Sequence, residues 1–406
     1  MAQWDALVDA ALDRLAAKSL LRATRPIALA PPPAAPRTFP GPGSWDRAAV
    51  EIRLDRATLQ EWLAEGGEAV KEVESDGRLI LFSGNDYIGL SSHPAIREAA
   101  VKAAEEYGMG PRGSALICGY TTYHKLVEES LAELKKKEDC LLCPTGFSAN
   151  MAVMTALGSI SSLLAVGRKP AADERIAIFS DALNHASIID GLRLVERQQE
   201  AVVFVYKHCD MSHLDFLLSS CSLDKKVVVT DRQVIIEHIL FSMDGDFAPF
   251  PELVKLRRKY GFLLVIDDAH GTLVCGENGG GAPELFECEN DIDICVGTLS
   301  KAAGCQGGFV ACRNRNASSK HFIARFVTNC LQFVEQHQME EANSIAWSLI
   351  HILDCFASAN SCFCAWLRIT LSASHSSDDI KTLVDALTPW LPVKHVEQSY
   401  ITVSKL

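Results

Sequence analysis

The sequence lacks a surplus of basic charge, because 39 Lys and Arg stand against 51 Asp and Glu and give a formal net charge of −12. An acidic chain without a basic stripe is poorly suited to nucleic acid, so we expect no such partner. It also lacks an uninterrupted apolar run of transmembrane length, because His351, Asp354 and Asn360 interrupt the apolar stretch 344–371. The N-terminus has no apolar signal-peptide core. We therefore expect no membrane association.

Regular cysteine spacing is also missing, although the chain has 14 cysteines. Cys140 and Cys143 form a single C-x-x-C pattern with no second pair and no nearby histidine pair. A zinc or redox site there is the alternative to buried, reduced thiols, and the scattered spacing favours the thiols. We expect no metal and a reducing intracellular compartment.

What is present is enough apolar material for a large core, since 48% of the 406 residues are hydrophobic. Residues 4–22 have helical periodicity, and 26–43 are rich in Pro and Ala, as is typical of an extended linker. A short strand is predicted at 78–82 and a helix at 94–107, with Pro94 near its start.

From about residue 116 onwards, helices alternate with short, continuously apolar strands. Helices are predicted over 122–137 and 148–157. The predicted strands cover residues 140–143, 176–179, 201–205, 227–230, 262–266 and 294–297. This alternation predicts an α/β fold with a mostly parallel sheet covered on both faces. Ligands bind beyond the carboxyl ends of such strands.

Polar and titratable side chains follow two of these strands. Thr298, Ser300 and Lys301 end one strand, and Asp267 and His270 end another. A lysine at the end of a buried strand is costly unless it has a partner or a covalent task, such as a Schiff base with a carbonyl cofactor. Asp267 can pair with a protonated pyridine nitrogen, or the pair Asp267-Asp268 can simply cap a turn. Taken together, these positions predict a site for pyridoxal 5'-phosphate (PLP).

Two further segments fit such a site, and each has a purely structural alternative. His185 follows the strand 176–179 and can stack on a pyridine ring, although a lone histidine there can be structural. The segment 145–148 joins a strand to a helix, so its amides can hold a phosphate or form a plain turn. Gly108 to Gly113 matches a dinucleotide fingerprint, but it follows a helix and contains Pro111, so we discount it.

The chain resembles the α-oxoamine synthases, which are PLP-dependent transferases of fold type I. The resemblance is carried by Phe82-Ser-Gly-Asn-Asp-Tyr-Ile-Gly-Leu90, Gly113-Ser-Ala-Leu-Ile-Cys-Gly-Tyr120, Leu183-Asn-His-Ala-Ser187, Phe241-Ser-Met-Asp-Gly-Asp246, Asp267-Asp-Ala-His270 and Thr298-Leu-Ser-Lys301. It spans residues 4–312 and a shorter stretch at about 367–392. It implies a large PLP-binding domain with an N-terminal arm and a small C-terminal domain.

The resemblance also implies roles for individual residues. Lys301 is expected to carry the cofactor imine, Asp267 to hold the pyridine nitrogen and His185 to stack on the ring. Ser242 and His270 would contact the phenolic oxygen, whereas the phosphate and the rest of the cofactor would be held by Gly146, Phe147 and Thr298. The expected substrate contacts come from Asn85 and Arg368, for an amino-acid carboxylate, and from Arg22, for a distal acyl carboxylate.

The implied reaction is decarboxylative condensation of an amino acid with an acyl thioester. Segments 118–124 and 241–249 favour L-alanine and a pimeloyl thioester, as used in biotin synthesis, on either CoA or acyl carrier protein. The alternatives are a relative of the glycine C-acetyltransferase or 5-aminolevulinate synthase type, or a catalytically impaired variant that only dimerises. The resemblance implies a homodimer in either case.

Two stretches depart from the family pattern. Residues 232–239 interrupt an expected strand-to-loop connection just before Ser242, and 313–365 lack the expected beginning of the small domain. The predicted divisions are therefore an arm at 1–90, a large domain at 91–312 and an incomplete, truncated domain at 313–406. Ser404-Lys405-Leu406 matches a peroxisomal address, so we expect a peroxisomal location, with the cytosol as the alternative.

Overall fold

The computed structural model describes residues 2–18, 26–29, 50–65, 77–108, 113, 115–166, 168–231, 249–313, 372 and 375–387. The helices are α1 Ala2–Ala17, α2 Arg56–Glu65, α3 Pro94–Tyr107, α4 Thr122–Leu134, α5 Gly146–Leu164, α6 Ala186–Arg197, α7 Met211–Ser220, α8 Phe250–Tyr260, α9 Ala282–Leu285 and α10 Ser377–Leu387. The strands are β1 Ala28–Leu29, β2 Glu51–Arg53, β3 Arg78–Ile80, β4 Asp139–Cys143, β5 Ile176–Asp181, β6 Ala201–Tyr206, β7 Lys226–Asp231, β8 Leu263–Asp267, β9 Ile294–Thr298 and β10 Gly308–Cys312.

A seven-stranded sheet forms the centre of the molecule, in the order β4-β10-β9-β8-β7-β5-β6. Strands β6, β5, β7, β8 and β9 are mutually parallel, whereas β10 runs antiparallel to both β9 and β4. The predicted α/β class with a mostly parallel sheet is confirmed. Because the parallel strands share a direction, the residues after Asp181, Asp267 and Thr298 emerge at one edge of the sheet.

Apolar clusters cover both faces of this sheet, as continuously apolar strands require. Phe179 belongs to one buried cluster, and its neighbour Ile178 belongs to the other. Neighbouring side chains on a strand point to opposite faces, so each strand supplies both clusters. Helix α5 packs in the second cluster through Val153 and Met154. Among the described residues, only α5 is long and apolar enough to cross a membrane, and half of this apolar stretch is buried inside the protein.

The helix boundaries differ from the predicted ones for local reasons. Helix α5 begins at Gly146 because the Thr145 side chain accepts a hydrogen bond from the Ser148 amide, and the Ser148 side chain caps in return. Helix α4 ends at Leu134, earlier than predicted, and Lys136 two residues later has a φ of 50°. Helix α1 ends at Ala17, whereas periodicity predicted a helix to residue 22.

The described cysteines carry no disulfide. Cys140 and Cys143 are both buried in β4, and burial raises the pKa of the Cys140 thiol. A buried thiol with a raised pKa is inert, so the structure favours the interpretation of this pair as core residues. The three predicted domain divisions stay predictions.

Candidate active site

Lys301 lies three residues beyond the end of β9 and is half-buried. Its Nζ is 2.7 Å from Nε2 of His270, which follows β8. The Nδ1 of His270 is in turn 2.5 Å from the hydroxyl of Tyr87, and that hydroxyl donates to Oδ1 of Asn85 at 3.3 Å. The hydrogen bonds therefore run in one direction. Lys301 donates to Nε2, Nδ1–H donates to the Tyr87 oxygen, and Tyr87 donates to Asn85.

A second network surrounds the buried carboxylate of Asp267, the last residue of β8. Its Oδ1 accepts from the Ala269 amide at 2.9 Å, and its Oδ2 accepts from Nδ2 of Asn150 at 2.6 Å. The same Asn150 amide donates to Oγ of Ser187 at 3.0 Å. Ser187 Oγ lies 2.7 Å from Nδ1 of His185. The hydrogen bond from the Ala269 amide is the turn-capping contact given above as the alternative role of Asp267. Asn150 and Ser187 in addition connect Asp267 to His185.

His185 stands at the N-terminus of α6, where Nδ1 accepts from the Ser187 amide at 3.2 Å. Partial desolvation lowers the pKa of its imidazole; the charge of Asp267 opposes that shift, and the charge of Lys301 adds to it. Geometry joins the same groups, since Asn150 and Ser187 connect Asp267 to His185 through hydrogen bonds. The ring of Phe147 meets that of His185 edge-on, with centroids 6.3 Å apart.

The N-terminus of α5 provides a place for an anion. A Cβ added at Gly146 would lie 2.9 Å from Cβ of Thr298, so only glycine allows this close approach of the helix to β9. Thr298 is buried, and its hydroxyl donates to the Gly307 carbonyl at 2.9 Å. The first amides of a helix have no intrahelical acceptor, and the helix dipole favours negative charge there. Gly146, Phe147 and Thr298 therefore form a cradle that fits a phosphate.

The loop that carries Asn85 and Tyr87 is held by residues from near the other end of the chain. The rings of Phe82 and His375 stack with centroids 4.3 Å apart, and Nε2 of His375 is 2.7 Å from the Leu81 carbonyl. Ser372 Oγ donates to the Asp86 carbonyl at 2.7 Å. Ser372 and His375 thus contact this loop directly.

Several predicted site residues lie outside the described part of the chain, namely Arg22, Ser242 and Arg368. Conversely, sequence reasoning assigned no site role to Tyr87, Asn150 or Ser187. The only sequence signal for Asn150 is that it is a polar residue within the apolar helix α5. Tyr87 and Ser187 both lie inside segments that carry the family resemblance, and this position was the sequence signal that could have marked them as site residues.

A family model described as aminotransferase class I and II matches residues 78–335, which is more than half of the chain. The match includes the whole described site except Ser372 and His375, and it extends past Arg313 into the stretch that departs from the expected pattern.

Individual proteins give a finer comparison. The chain is 57% identical over 335 residues to 8-amino-7-oxononanoate synthase of Arabidopsis thaliana, covering 77% of this chain and 69% of that one. It is 42% identical over 247 residues to 8-amino-7-oxononanoate synthase of Geobacter sulfurreducens, covering 60% of this chain and 57% of that one. A solved structure of SPT with PLP matches with a TM-score of 0.51 and 26% identity, covering 70% of this chain and 71% of that one.

Proposed function

Because the chain belongs to the aminotransferase class I and II family, and within it to the α-oxoamine synthases, we propose that it condenses L-alanine with a pimeloyl thioester. The products are 8-amino-7-oxononanoate, CO2 and the free thiol carrier, which places the reaction in biotin biosynthesis. The observation that carries the proposal is Lys301, held by His270 at a strand end beside Asp267 and His185.

The described residues fit PLP. The cradle of Gly146, Phe147 and Thr298 suits its phosphate, and the buried carboxylate of Asp267 suits a protonated pyridine nitrogen. Lys301 offers an amine for the carbonyl carbon. When bound, PLP supplies an electron sink that stabilises negative charge at the Cα of the amino acid.

Side chains of the protein would supply the proton transfer and the positioning of the reacting groups. With PLP and the amino acid bound, Lys301 would be the base for the Cα proton. His270 holds the Lys301 Nζ in place through Nε2, and Tyr87 fixes the tautomer of His270. Asn150 orients the carboxylate of Asp267, which would hold the protonated pyridine nitrogen of the cofactor.

The proposed substrate contacts follow the family pattern. Asn85 and Arg368 hold the alanine carboxylate, and Arg22 meets the distal carboxylate of the acyl chain. By the same pattern, Ser242 and His270 would hold the phenolic oxygen of PLP, and His185 would stack on its pyridine ring. Asn85 already accepts a hydrogen bond from Tyr87, which directs its side chain towards the Lys301 network.

The test is product analysis with the purified chain and added PLP. We expect faster turnover with L-alanine and pimeloyl-CoA than with glycine and either acetyl-CoA or succinyl-CoA. The same comparison should be made with pimeloyl-acyl carrier protein as the acyl donor in place of pimeloyl-CoA. Faster turnover with a glycine pair would move the assignment to a 2-amino-3-oxobutyrate or 5-aminolevulinate synthase type.

A second candidate is a chain of the same family that binds PLP and dimerises but turns over poorly. It is favoured by the extent of the match, because the aligned residues cover only 69% of the Arabidopsis relative and 57% of the Geobacter relative. Deleting residues 232–239 and restoring a full C-terminal domain should then raise the melting temperature and product formation. Equal values for both versions would contradict this candidate.

Two properties of the whole protein belong to the same proposal. A homodimer with the active site at the subunit interface should give a light-scattering mass of two chains. Ser404-Lys405-Leu406 should direct a fluorescent fusion to peroxisomes, and a fusion that lacks this tripeptide should remain in the cytosol.

A further inference from the structure

A cysteine, a histidine and a carboxylate meet away from the hydrogen bonds around Lys301. Asp181 is the last residue of β5, and His208 and Cys209 follow the end of the neighbouring parallel strand β6. The ligand atoms of the three side chains lie within 4.8 Å of one another. Parallel pairing of β5 with β6 brings these residues together at the carboxyl edge of the sheet.

The hydrogen bonds in this cluster determine which nitrogen of His208 carries the proton. Oδ1 of Asp181 lies 2.8 Å from Nδ1 of His208. An ionised carboxylate only accepts hydrogen bonds, so Nδ1 is the donor and Nε2 is left with a lone pair. That Nε2 lies 3.5 Å from Sγ of Cys209. A nucleophile, a base and a group that orients the base therefore follow one another in the order required for thiol activation.

The carboxylate is fixed from several sides. Besides His208, it accepts from the Leu183 amide at 2.9 Å on Oδ1 and from the Cys209 amide at 3.2 Å on Oδ2. Its side chain is 3% exposed, whereas that of His208 is 30% exposed. The base is thus held by a buried anchor while solvent still reaches it.

The backbone of Cys209 is also unusual. Its φ of 54° lies in the left-handed region, which non-glycine residues rarely adopt. The bond from its amide to Asp181 holds the residue there and keeps Sγ beside Nε2. The thiol is partly exposed and is not in a disulfide. Strained backbone of this kind is concentrated at functional positions.

The same three residue types can bind zinc, but the geometry here favours a thiol site. Three N–H groups already occupy the carboxylate of Asp181, and Nδ1 of His208 is directed at that carboxylate. A metal here would have to share Asp181 with these three N–H donors, whereas Nε2 of His208 already faces Sγ of Cys209.

We propose that Cys209 is a peroxide-reactive thiol activated by His208 and Asp181. The thiol proton moves from Sγ to Nε2, and the thiolate attacks one oxygen of hydrogen peroxide. An S–O bond forms and the O–O bond breaks, so sulfur is oxidised by two electrons and the peroxide is reduced by two. The second oxygen leaves as hydroxide and becomes water with the proton on Nε2, which leaves a sulfenic acid on Cys209.

The test uses the purified full chain at pH 7, treated with dilute hydrogen peroxide and a dimedone probe, and then mapped by peptide mass spectrometry. Cys221 is the internal control, because it has the same intermediate exposure and lies next to no histidine or carboxylate in the described hydrogen bonds. We expect dimedone on Cys209 to accumulate about 100-fold faster than on Cys221, the low end of what a positioned base contributes.

Two variants test the relay itself. His208→Gln should lower the Cys209 labelling rate to that of Cys221 and leave Cys221 unchanged. Asp181→Asn should also lower the Cys209 labelling rate to that of Cys221, and circular dichroism will show whether this variant folds. If it does not fold, His208→Gln alone tests the proposal, because His208 is partly exposed and its replacement disturbs the core less. Equal labelling of Cys209 and Cys221, or unchanged labelling in His208→Gln, overturns the proposal. So does stoichiometric zinc in the purified chain that disappears in Cys209→Ser.

Discussion

At the scale of single residues, the charge of Lys301 is the feature that most needs explanation. The Nζ of the half-buried ammonium lies 2.7 Å from Nε2 of His270, which is an uncharged acceptor in the tautomer inferred above. The amine is therefore held in place and stays available for covalent chemistry.

The first prediction concerns that covalent role. Lys301→Ala should abolish the visible imine absorbance of the PLP-loaded chain and all turnover, because no other amine replaces Nζ at this position. Borohydride reduction followed by peptide mapping should place the label on Lys301 in the unmodified chain. Lys102→Ala is the control, since its side chain is 70% exposed on α3. An unchanged imine spectrum in Lys301→Ala would show that the lysine has been misassigned.

The second prediction concerns the protonation of His185. Its pKa is lowered from the ordinary 6.5, first by desolvation and further by Lys301, against the opposing charge of Asp267. In the chain without cofactor, NMR titration of His185 should therefore give a midpoint below 6.5. Lys301→Ala should raise this midpoint, and Asp267→Asn should lower it.

The same shift has a consequence for stability. Since the unfolded chain binds this proton more readily, stability falls as the pH drops through 6.5 and stops falling below the folded pKa. His185→Gln should remove that part of the pH dependence. A His185 midpoint above 6.5 would reverse both expectations.

The third prediction concerns Asn150, which is 2% exposed and joins Asp267 to Ser187. Asn150→Ala leaves Oδ2 of Asp267 without this buried donor, so the free energy of unfolding should fall by ~1–3 kcal/mol. Thr155→Ala on the same helix is the control, because its hydroxyl only donates to the Met151 carbonyl. Urea unfolding of both variants without cofactor is the measurement, and equal losses would mean that the Asp267 contact contributes nothing specific.

At the scale of elements, the loop 81–87 is the part of the site least supported by regular structure. It follows the short strand β3 and carries both Asn85 and Tyr87. Its contact with His375 joins residues 294 positions apart in the sequence. Such a distant contact restricts a loop that would otherwise be free to move away from His270.

The fourth prediction tests that contact. His375→Ala removes the stacking on Phe82, and a pair of this kind contributes ~0.5–1.5 kcal/mol beyond its burial. Hydrogen exchange of the amides in 82–87 should become several-fold faster, because RT at 25 °C makes 1.4 kcal/mol equivalent to a factor of ten. Thr382→Ala on α10 should leave these amides unchanged. If both variants behave like the parent chain, the C-terminal stretch does not restrain the loop.

At the scale of the whole molecule, a buried ion pair joins the end of α4 to the turn after β8. Nζ of Lys135 lies 2.8 Å from Oδ2 of Asp268, with the two side chains 1% and 0% exposed. Nζ also donates to Thr272 and to the Gly280 carbonyl. Burial has the largest single effect and lowers the pKa of Lys135, but the charge of Asp268, the hydrogen bond to it and smaller contributions from nearby groups together raise the pKa.

The fifth prediction follows from that burial. Lys135→Met leaves Asp268 as an uncompensated buried charge, so the free energy of unfolding should fall by ~3–5 kcal/mol. In an Asp268→Asn background the same change should cost clearly less, because no charge is stranded. A double-mutant cycle by urea unfolding measures the difference. Additive losses would indicate that the pair is not coupled.

The sequence by itself determined the parallel sheet and the positions of Lys301, Asp267 and His185 at its strand ends. These features depend on local patterns, because a short apolar run between helices identifies a buried strand, and parallel strands end at one edge. Helix boundaries were less certain, since capping by Thr145 and Ser148 and the left-handed backbone at Lys136 depend on individual side chains and dihedral angles.

Only the tertiary structure decided which side chains hold these groups. Tyr87 contacts His270 across 183 positions, Asn150 contacts Asp267 across 117, and Asp181 contacts His208 across 27. Hydropathy patterns assign each of these residues to a loop, a helix or a strand end, but they carry no information about which distant donor faces which acceptor. The pairing of donors with acceptors is set by the strand order and by the packing of α5 on the sheet. A hydrogen bond forms only where this arrangement brings donor and acceptor atoms within about 3 Å of each other.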